Sequence, residues 1–127
     1  MILLAAPTVV VVGDGDMDRL SKAAGACDRA AVSRAWDEET GRHGGFVLQS
    51  YKDEAQLIAD RRALADRRRR SRTVGPAESD AALAAAAADL DDRQRALDDA
   101  RRLDQIRQDT VRYFRQAYLT RCNGREL

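Results

Sequence analysis

The sequence has few of the residues that build a thick hydrophobic core. Its 127 residues include one Trp, three Tyr, two Phe and two Pro. Leu, Ile, Val and Phe together number 25, and seven of these lie within the first twelve positions. A compact globule of this length needs a thicker core, whereas a net charge of only +1 argues against disorder. These shortages favour an ordered, elongated helical protein with a narrow apolar seam.

The sequence also lacks the residue sets on which common active sites depend. His43 is the single histidine, which excludes a cluster of histidine ligands around a metal ion. The run from Asp14 to Asp18 opens like a calcium loop, but Arg19 and Gly25 stand where that loop needs glycine and glutamate. A phosphoryl-transfer enzyme would need several further strand–helix units. We therefore expect no catalytic residue, no metal, no cofactor and no small-molecule substrate.

The second half of the chain predicts one long helix. From Ala77 to Asn123 it contains neither glycine nor proline, and Pro76 suits the first helical position. Asn123-Gly124 suits the end of the helix. The predicted apolar seam consists of Leu83, Leu90, Leu97, Leu103, Ile106, Phe114, Ala117 and Tyr118. Because so narrow a stripe cannot stabilise an isolated helix, a partner helix is required.

The partner helix is predicted upstream in the same chain. The stretch between Gly45 and Gly75 is free of glycine and proline, and Ser50 followed by Asp53 resembles the capping box at a helix start. The predicted seam there consists of Leu48, Tyr51, Ala55, Leu57, Ile58 and Leu64. A weaker helix is predicted from Met17 to Thr40. The glycine-rich residues 41–45 indicate a break between the two.

Gly75-Pro76 is the strongest signal for a chain reversal, and the two cysteines lie almost equally far from it. Cys27 precedes Gly75 by 48 positions and Cys122 follows it by 47. If residues 41–45 form only a kink, the two arms of an antiparallel α-helical hairpin bring the sulfurs together. If they form a full reversal, the fold is a three-helix bundle with the cysteines roughly 46 Å apart, too far for a disulfide. The hairpin register also places Val32 opposite Tyr118, Trp36 opposite Phe114 and Val47 opposite Leu103. We favour the mainly α hairpin, with the three-helix bundle as the alternative.

The pairing of Cys27 with Cys122 also bears on the compartment. A disulfide persists in an oxidising compartment such as a bacterial periplasm or the cell exterior, whereas two free thiols suit the cytoplasm. Residues 1–13 are apolar, but no Lys or Arg precedes them, so they indicate an incomplete signal peptide or a short strand at Thr8–Val12. Residues 14–127 are predicted to form a single helical domain. The prediction is a periplasmic or secreted protein, with a cytoplasmic one as the alternative.

Twelve residues near the predicted hairpin tip contain seven arginines. We call this set the arginine cluster: Arg61, Arg62, Arg67, Arg68, Arg69, Arg70 and Arg72. Such a cluster can bind nucleic-acid phosphates, anionic lipid head groups or an acidic protein surface. The near-neutral chain and the lack of interleaved aromatic residues argue against nucleic acid. The structural alternative is an ion-paired surface facing Glu78, Asp80 and Asp89.

These patterns predict a non-enzymatic, exported helical binding or scaffold protein. It would dock another protein through its helical faces or the arginine cluster, and its alanine-rich surfaces make self-association a further expectation. The alternative is a cytosolic, nucleic-acid-associated helical protein that binds phosphates through residues 61–72.

Overall fold

The computed structural model describes residues 14–73 and 79–122, and this part of the chain is almost entirely helical. Its three helices are α1 (Asp14–Gly25), α2 (Arg29–Thr73) and α3 (Asp80–Arg121), and none of the described residues forms a strand. The mainly α prediction is confirmed. The apolar segment 1–13 and the Gly75-Pro76 turn lie outside the described residues.

Three residues separate α1 from α2, and Cys27 is the middle one. The backbone amides of Cys27 and Asp28 donate to the carbonyl oxygens of Ala24 and Ala23, at 3.3 and 2.9 Å. This pair of bonds closes a helix on a left-handed residue, for which glycine is the usual choice. Here the left-handed residue is Cys27, with a φ of 54°. Asp28 then caps α2, because its Oδ1 accepts a hydrogen bond from the Ala31 amide at 3.1 Å.

Three boundaries expected from the sequence are wrong. The stretch from Met17 to Thr40 is divided at Cys27, whereas residues 41–45 lie inside α2 and form no break. A glycine within a helix costs about 1 kcal/mol relative to alanine, but Arg42 and His43 beside these glycines hydrogen-bond to Asp104 of α3, which offsets the local cost. Ser50, expected near a helix start, is buried in the middle of α2.

Helix α3 begins at Asp80, later than the predicted start at Pro76, because Ser79 supplies the cap. The Ser79 hydroxyl oxygen accepts a hydrogen bond from the Ala82 amide at 3.1 Å, and its carbonyl oxygen accepts one from the Leu83 amide at 3.1 Å. Asp80 then places a negative charge in the first turn, where the helix dipole favours it. Arg121 lies in the last turn, where a positive charge is favoured for the same reason.

The described chain packs as two compact units. The disulfide unit comprises residues 14–46 and 103–122, and the leucine unit comprises residues 47–73 and 79–102. The buried core of the disulfide unit consists of Leu20, Ala24, Val32, Val111 and Tyr118. The buried core of the leucine unit consists of Leu57, Leu64, Leu83, Leu90 and Leu97. The core of the leucine unit lies between segments of α2 and α3, whereas α1, α2 and α3 all contribute to the core of the disulfide unit.

Within the disulfide unit the contacts agree with the predicted register. Val32 and Tyr118 belong to the same buried cluster, and both Trp36 and Phe114 pack against it. The Arg115 guanidinium carbon also lies 4.5 Å from the centre of the Trp36 ring, in cation–π contact. The segments of α2 and α3 in this unit are therefore antiparallel.

Within the leucine unit the ion pairs also follow an antiparallel register. Arg93 Nη1 lies 2.8 Å from Asp60 Oδ2, and Arg61 Nη1 lies 3.3 Å from Asp91 Oδ1. The residue number rises on one helix as it falls on the other. Val47 of this unit, and Leu103 of the disulfide unit, which the predicted register sets opposite it, are 52% and 51% exposed.

Candidate functional site

The buried row of α3 follows a seven-residue repeat that includes one charged residue. Its members are Leu83, Leu90, Leu97, Asp104, Val111 and Tyr118, and all six are buried. Leu103 and Ile106, predicted to continue the seam after Leu97, are exposed instead. The prediction is wrong at this point because an acidic residue occupies the buried position. The strict spacing of seven is the sequence signal that would have identified Asp104.

Glu39 is the centre of a hydrogen-bonded network inside the disulfide unit. Arg42 Nε lies 3.0 Å from both carboxylate oxygens of Glu39, and Arg42 Nη2 donates to Oε1 at 2.6 Å. From α3, Arg107 Nε donates to Glu39 Oε2 and Gln108 Nε2 donates to Oε1, each at 2.7 Å. Three side chains therefore satisfy a carboxylate that is only 5% exposed.

Asp104 extends the network on the α3 side. Arg42 Nη2 donates to Asp104 Oδ1 at 2.6 Å, so that one guanidinium bridges both buried carboxylates. His43 Nδ1 lies 2.8 Å from Asp104 Oδ2. Arg42 and His43 project from residues 41–45 of α2, the glycine-rich stretch that was expected to break the helix.

The charges of the network stabilise one another. Burial alone would raise the pKa of Glu39, but the hydrogen bonds from Arg42 and Arg107 outweigh it and hold that pKa below its ordinary value. Glu39 in turn raises the pKa of Arg42, and Asp104 adds to that effect against the opposing effect of burial. Two buried carboxylates are balanced by two guanidinium groups.

The chemistry open to this network is limited. A histidine hydrogen-bonded to an aspartate supplies two parts of a nucleophile-activating triad, but within residues 14–73 and 79–122 the polar contact of His43 is the one to Asp104. The described side chains also include no group of three or more His, Cys, Asp or Glu residues that could hold a metal ion. The network has the geometry of a structural polar layer. Sliding α2 against α3 would leave a buried charge unpaired, so the layer specifies the register.

Cys27 and Cys122 form a disulfide, with their α-carbons 5.5 Å apart. The predicted pairing is confirmed. The bond joins the α1–α2 junction to the residue that follows α3, and it spans a sequence separation of 95 residues. In the chain-entropy model a loop of this length is worth about 4–5 kcal/mol, a large share of a small domain's stability.

The arginine cluster occupies the last turns of α2, and its members differ in their partners. Arg61 pairs with Asp91 across to α3, Arg69 pairs with Asp66 on its own helix, and Arg67 is part-buried and has partners. The remaining four make no ion pair with any described residue: Arg62, Arg68, Arg70 and Arg72. All four are exposed.

The exposed arginines do not form one flat basic face. Successive helical residues are rotated by about 100°, so Arg62, Arg68 and Arg70 point in three different directions. The sequence predicted ion pairs between the cluster and Glu78, Asp80 and Asp89, whereas the pair that the structure shows across to α3 joins Arg61 to Asp91. Asp89 lies 4.0 Å from Arg93 of its own helix, and Glu78 lies outside the described residues.

Both long helices carry a second apolar row that the described chain leaves uncovered. The α3 face consists of Leu103, Ile106, Thr110, Tyr113 and Ala117, at alternating spacings of three and four residues. The α2 face consists of Leu48, Tyr51, Ala55 and Ile58, at the same spacings. Tyr51 is 70% exposed and Tyr113 is 67% exposed. An apolar row at this spacing is typical of a helix that packs against another helix.

A small cleft opens in the disulfide unit between α1 and α2. Its volume is about 220 Å³, and its lining includes Met17, Leu20 and Ala35 below a charged rim with Arg34 and Glu38. Pockets that bind small molecules usually measure about 300–1,000 Å³. The cleft is therefore a weaker candidate for a functional site than the two exposed helix faces.

Comparison of the chain with protein-family models, curated proteins and solved structures finds no match. None of the helices in the described part is long and apolar enough to cross a membrane.

Proposed function

We propose that this chain is a non-enzymatic helical binding protein that docks an apolar helix of another protein on its α3 face. The observation that carries the proposal is the exposure of Leu103, Ile106 and Tyr113, which are 51%, 61% and 67% exposed at helical spacing. Large apolar side chains in a contiguous exposed row are costly to leave in water and mark a site of association. A partner helix with its own apolar heptad positions would bury them.

The proposal includes the long antiparallel hairpin as the scaffold for this face. In this interpretation α2 and α3 form the two arms, α1 packs against their open end, and the Cys27–Cys122 bond joins the arms there. The antiparallel register within each unit supports it, as does the disulfide. A protein of this kind presents long helical faces and needs no deep pocket.

We place the protein in an oxidising compartment, the periplasm or the cell exterior. The disulfide supports this location because such bonds persist there and are rare in the cytoplasm. In a chain with a thin core, the stabilisation that the bond provides would be lost in a reducing compartment.

Site-specific photo-crosslinking in producing cells tests the docking proposal. A photoreactive amino acid replaces Tyr113 or Ile106 on the α3 face, and Gln105 serves as the control because it is exposed on the polar side of the same helix. We expect adducts of one defined mass from Tyr113 and Ile106 and none from Gln105. The crosslinked partner peptide should carry an apolar heptad row, and Leu103→Glu should abolish the adduct.

Equal labelling at all three positions, or no adduct on the α3 face, would contradict the proposal. So would a crosslinked peptide without helical apolar spacing. An adduct that consists of two copies of this chain would assign the α3 face to self-association and overturn the assignment to a different protein.

The second candidate function is nucleic-acid binding through the arginine cluster. The observation that favours it is the set of four exposed arginines that pair with no described residue. Phosphate binding releases counterions, so affinity would fall steeply as salt rises. The test titrates salt against RNA and DNA binding, using a variant with Arg62, Arg68, Arg70 and Arg72 changed to Gln. Steep salt dependence that this variant abolishes would support nucleic-acid binding, and binding only to anionic lipid vesicles would indicate a membrane surface instead.

A further inference from the structure

The α2 face belongs to a helix that already uses a different face for its own core. Leu57 and Leu64 are buried against α3, whereas Tyr51 and Ile58 are 70% and 47% exposed. Leu48 and Ala55 are also exposed and continue the row at spacings of three and four residues. The leucine unit therefore has two apolar rows on α2, of which α3 covers one.

Beyond Ile58 the row continues with an arginine and an alanine, which complement the tyrosine and the leucine at the other end of the row. The next two positions at the same spacing are Arg62 and Ala65, both exposed, and Arg62 makes no ion pair with a described residue. In heptad terms Leu48, Ala55 and Arg62 occupy one class of core position, and Tyr51, Ile58 and Ala65 occupy the other. In an antiparallel helix pair, each class faces the other class of the partner.

We propose that a second copy of this chain covers the α2 face, in an antiparallel pair related by a two-fold axis. The register that we infer pairs Leu48 with Ala65, Ala55 with Ile58, and Tyr51 with Arg62 of the second copy. Leu48 and Ile58 then each meet an alanine, so these layers combine a large with a small side chain. The Arg62 guanidinium lies over the Tyr51 ring, which gives a cation–π contact to a charge that has no ion-pair partner in the described chain.

The flanking charges support the same register. Along one edge it brings Glu54 of each copy beside Arg61 of the other, where these side chains also pair with Arg101 and Asp91 of their own α3, each at 3.3 Å, so opposite charges alternate there. A shift by one heptad would pair Leu48 with Ile58, but it would also bring the two Glu54 carboxylates together. A parallel pair would place Arg62 against Arg62. Charge complementarity therefore selects a second copy in one antiparallel register, and the two-fold symmetry is that of the commonest soluble homodimers.

This inference is separate from the proposed docking of another protein. The docking proposal concerns the α3 face in the disulfide unit, and the pairing concerns the α2 face in the leucine unit. Either surface can fail its test while the other passes.

The test is a charge-exchange experiment read by sedimentation equilibrium of the full-length oxidised chain. Wild type should shift from monomer to dimer as concentration rises, with a dissociation constant on the order of 10 µM because the interface is small. Tyr51→Arg places Arg against Arg62 of the second copy and should weaken the dimer by at least about tenfold. The double variant Tyr51→Arg/Arg62→Tyr restores the contact with the two residues exchanged and should return to within about threefold of wild type.

The matched control is Gln49→Arg, which adds the same charge at an exposed α2 position outside the face. It should leave the dimer unchanged. Far-ultraviolet circular dichroism shows that each variant is folded, which is expected because Tyr51 and Arg62 are exposed. Failure of the double variant to recover would overturn the antiparallel register, because that register again brings Arg and Tyr together in the double variant.

A chain that stays monomeric at about 500 µM would overturn the proposal altogether. Crosslinking from Ile58 to residues 1–13 of the same chain would assign the α2 face to the chain's own apolar segment, with the same consequence. Equal weakening by Gln49→Arg would show a general charge effect and also contradict the inference.

Discussion

In the disulfide unit the segments of α2 and α3 are held by a covalent bond, a buried ion network and aromatic side chains, whereas in the leucine unit they meet through five buried leucines and ion pairs that are partly exposed to solvent. Leucines at a spacing of seven residues are interchangeable, so a slip by one heptad preserves much of their contact. The disulfide and the network allow one register only. The interactions that specify the helix register are therefore concentrated in the disulfide unit, while the leucine unit supplies repetitive apolar burial.

Breaking the disulfide should cause the largest loss of unfolding free energy. We expect the Cys27→Ala/Cys122→Ala variant to lose about 4 kcal/mol of unfolding free energy, since the loop between the cysteines is no longer closed in the unfolded chain. Urea unfolding monitored by circular dichroism measures the loss. Reduction of the wild type should reproduce it, and a loss below about 1 kcal/mol would show that the bond contributes little.

Removing the Glu39 carboxylate, at the centre of the buried network, should cause the second-largest loss of unfolding free energy. Glu39→Ala leaves the guanidinium groups of Arg42 and Arg107 partly buried without their shared partner, and we expect a loss of about 3 kcal/mol. Glu38→Ala, at the exposed neighbouring position, is the control and should change stability by less than about 0.5 kcal/mol. Equal effects of the two substitutions in urea unfolding would refute a specific role for the network.

Alanine substitution of one buried and one exposed leucine of α3 distinguishes the buried row from the exposed face. Leu97→Ala should cost about 2–3 kcal/mol because Leu97 is 6% exposed and packs in the leucine core. Leu103→Ala, six residues along the same helix, should cost less than about 0.5 kcal/mol, since Leu103 is half exposed. The reverse order would restore the seam first expected from the sequence.

The pH dependence of stability should reveal the network. The pKa of Glu39 in the folded chain lies below the ordinary value of 4.5, so its contribution is fully present above about pH 4.5 and is lost as pH falls through the folded pKa. In the leucine unit the hydrogen bond from Arg93 lowers the pKa of Asp60, so the contribution of Asp60 to stability is also lost as pH falls through its folded pKa.

Urea midpoints measured from pH 7 to pH 2 check this expectation. Glu39→Gln should flatten the acid limb of the curve, and Asp60→Asn provides the comparison from the leucine unit. An acid limb that Glu39→Gln leaves unchanged would contradict the role assigned to Glu39.

The smallest expected change is an increase in stability. Gly44 lies inside α2, and apart from its chain neighbours and the nearby backbone of its own helix, no atom lies within 4 Å of the position that a Cβ would occupy. Gly44→Ala should therefore stabilise the chain by about 0.5–1 kcal/mol by removing the conformational cost of glycine in a helix. Thermal unfolding measures the gain, and a lower midpoint would show that this glycine is needed for packing.

Much of the fold was accessible from the sequence, and the failures have physical causes. The equal distances of Cys27 and Cys122 from Gly75-Pro76 predicted their pairing, because an antiparallel register matches residues at equal distances from a turn. The leucine spacing predicted the row from Leu83 to Leu97. Local propensity failed at residues 41–45, where tertiary hydrogen bonds outweigh the cost of three glycines.

The candidate surfaces were harder to predict. Apolar character cannot distinguish a buried row from an exposed one when a helix carries both, so Ile58 and Leu57 were assigned to one seam. The buried Glu39 and Asp104 were missed because acidic residues are expected at the surface unless their partners are known. Those partners come from segments more than sixty residues apart.

The most direct test of the disulfide is the intact mass of natively produced protein, alkylated with and without prior reduction. We expect no alkylation of the unreduced chain and addition of two alkyl groups after reduction, because Cys27 and Cys122 are joined. Two alkyl groups on the unreduced chain would contradict the disulfide, and with it the assignment to an oxidising compartment.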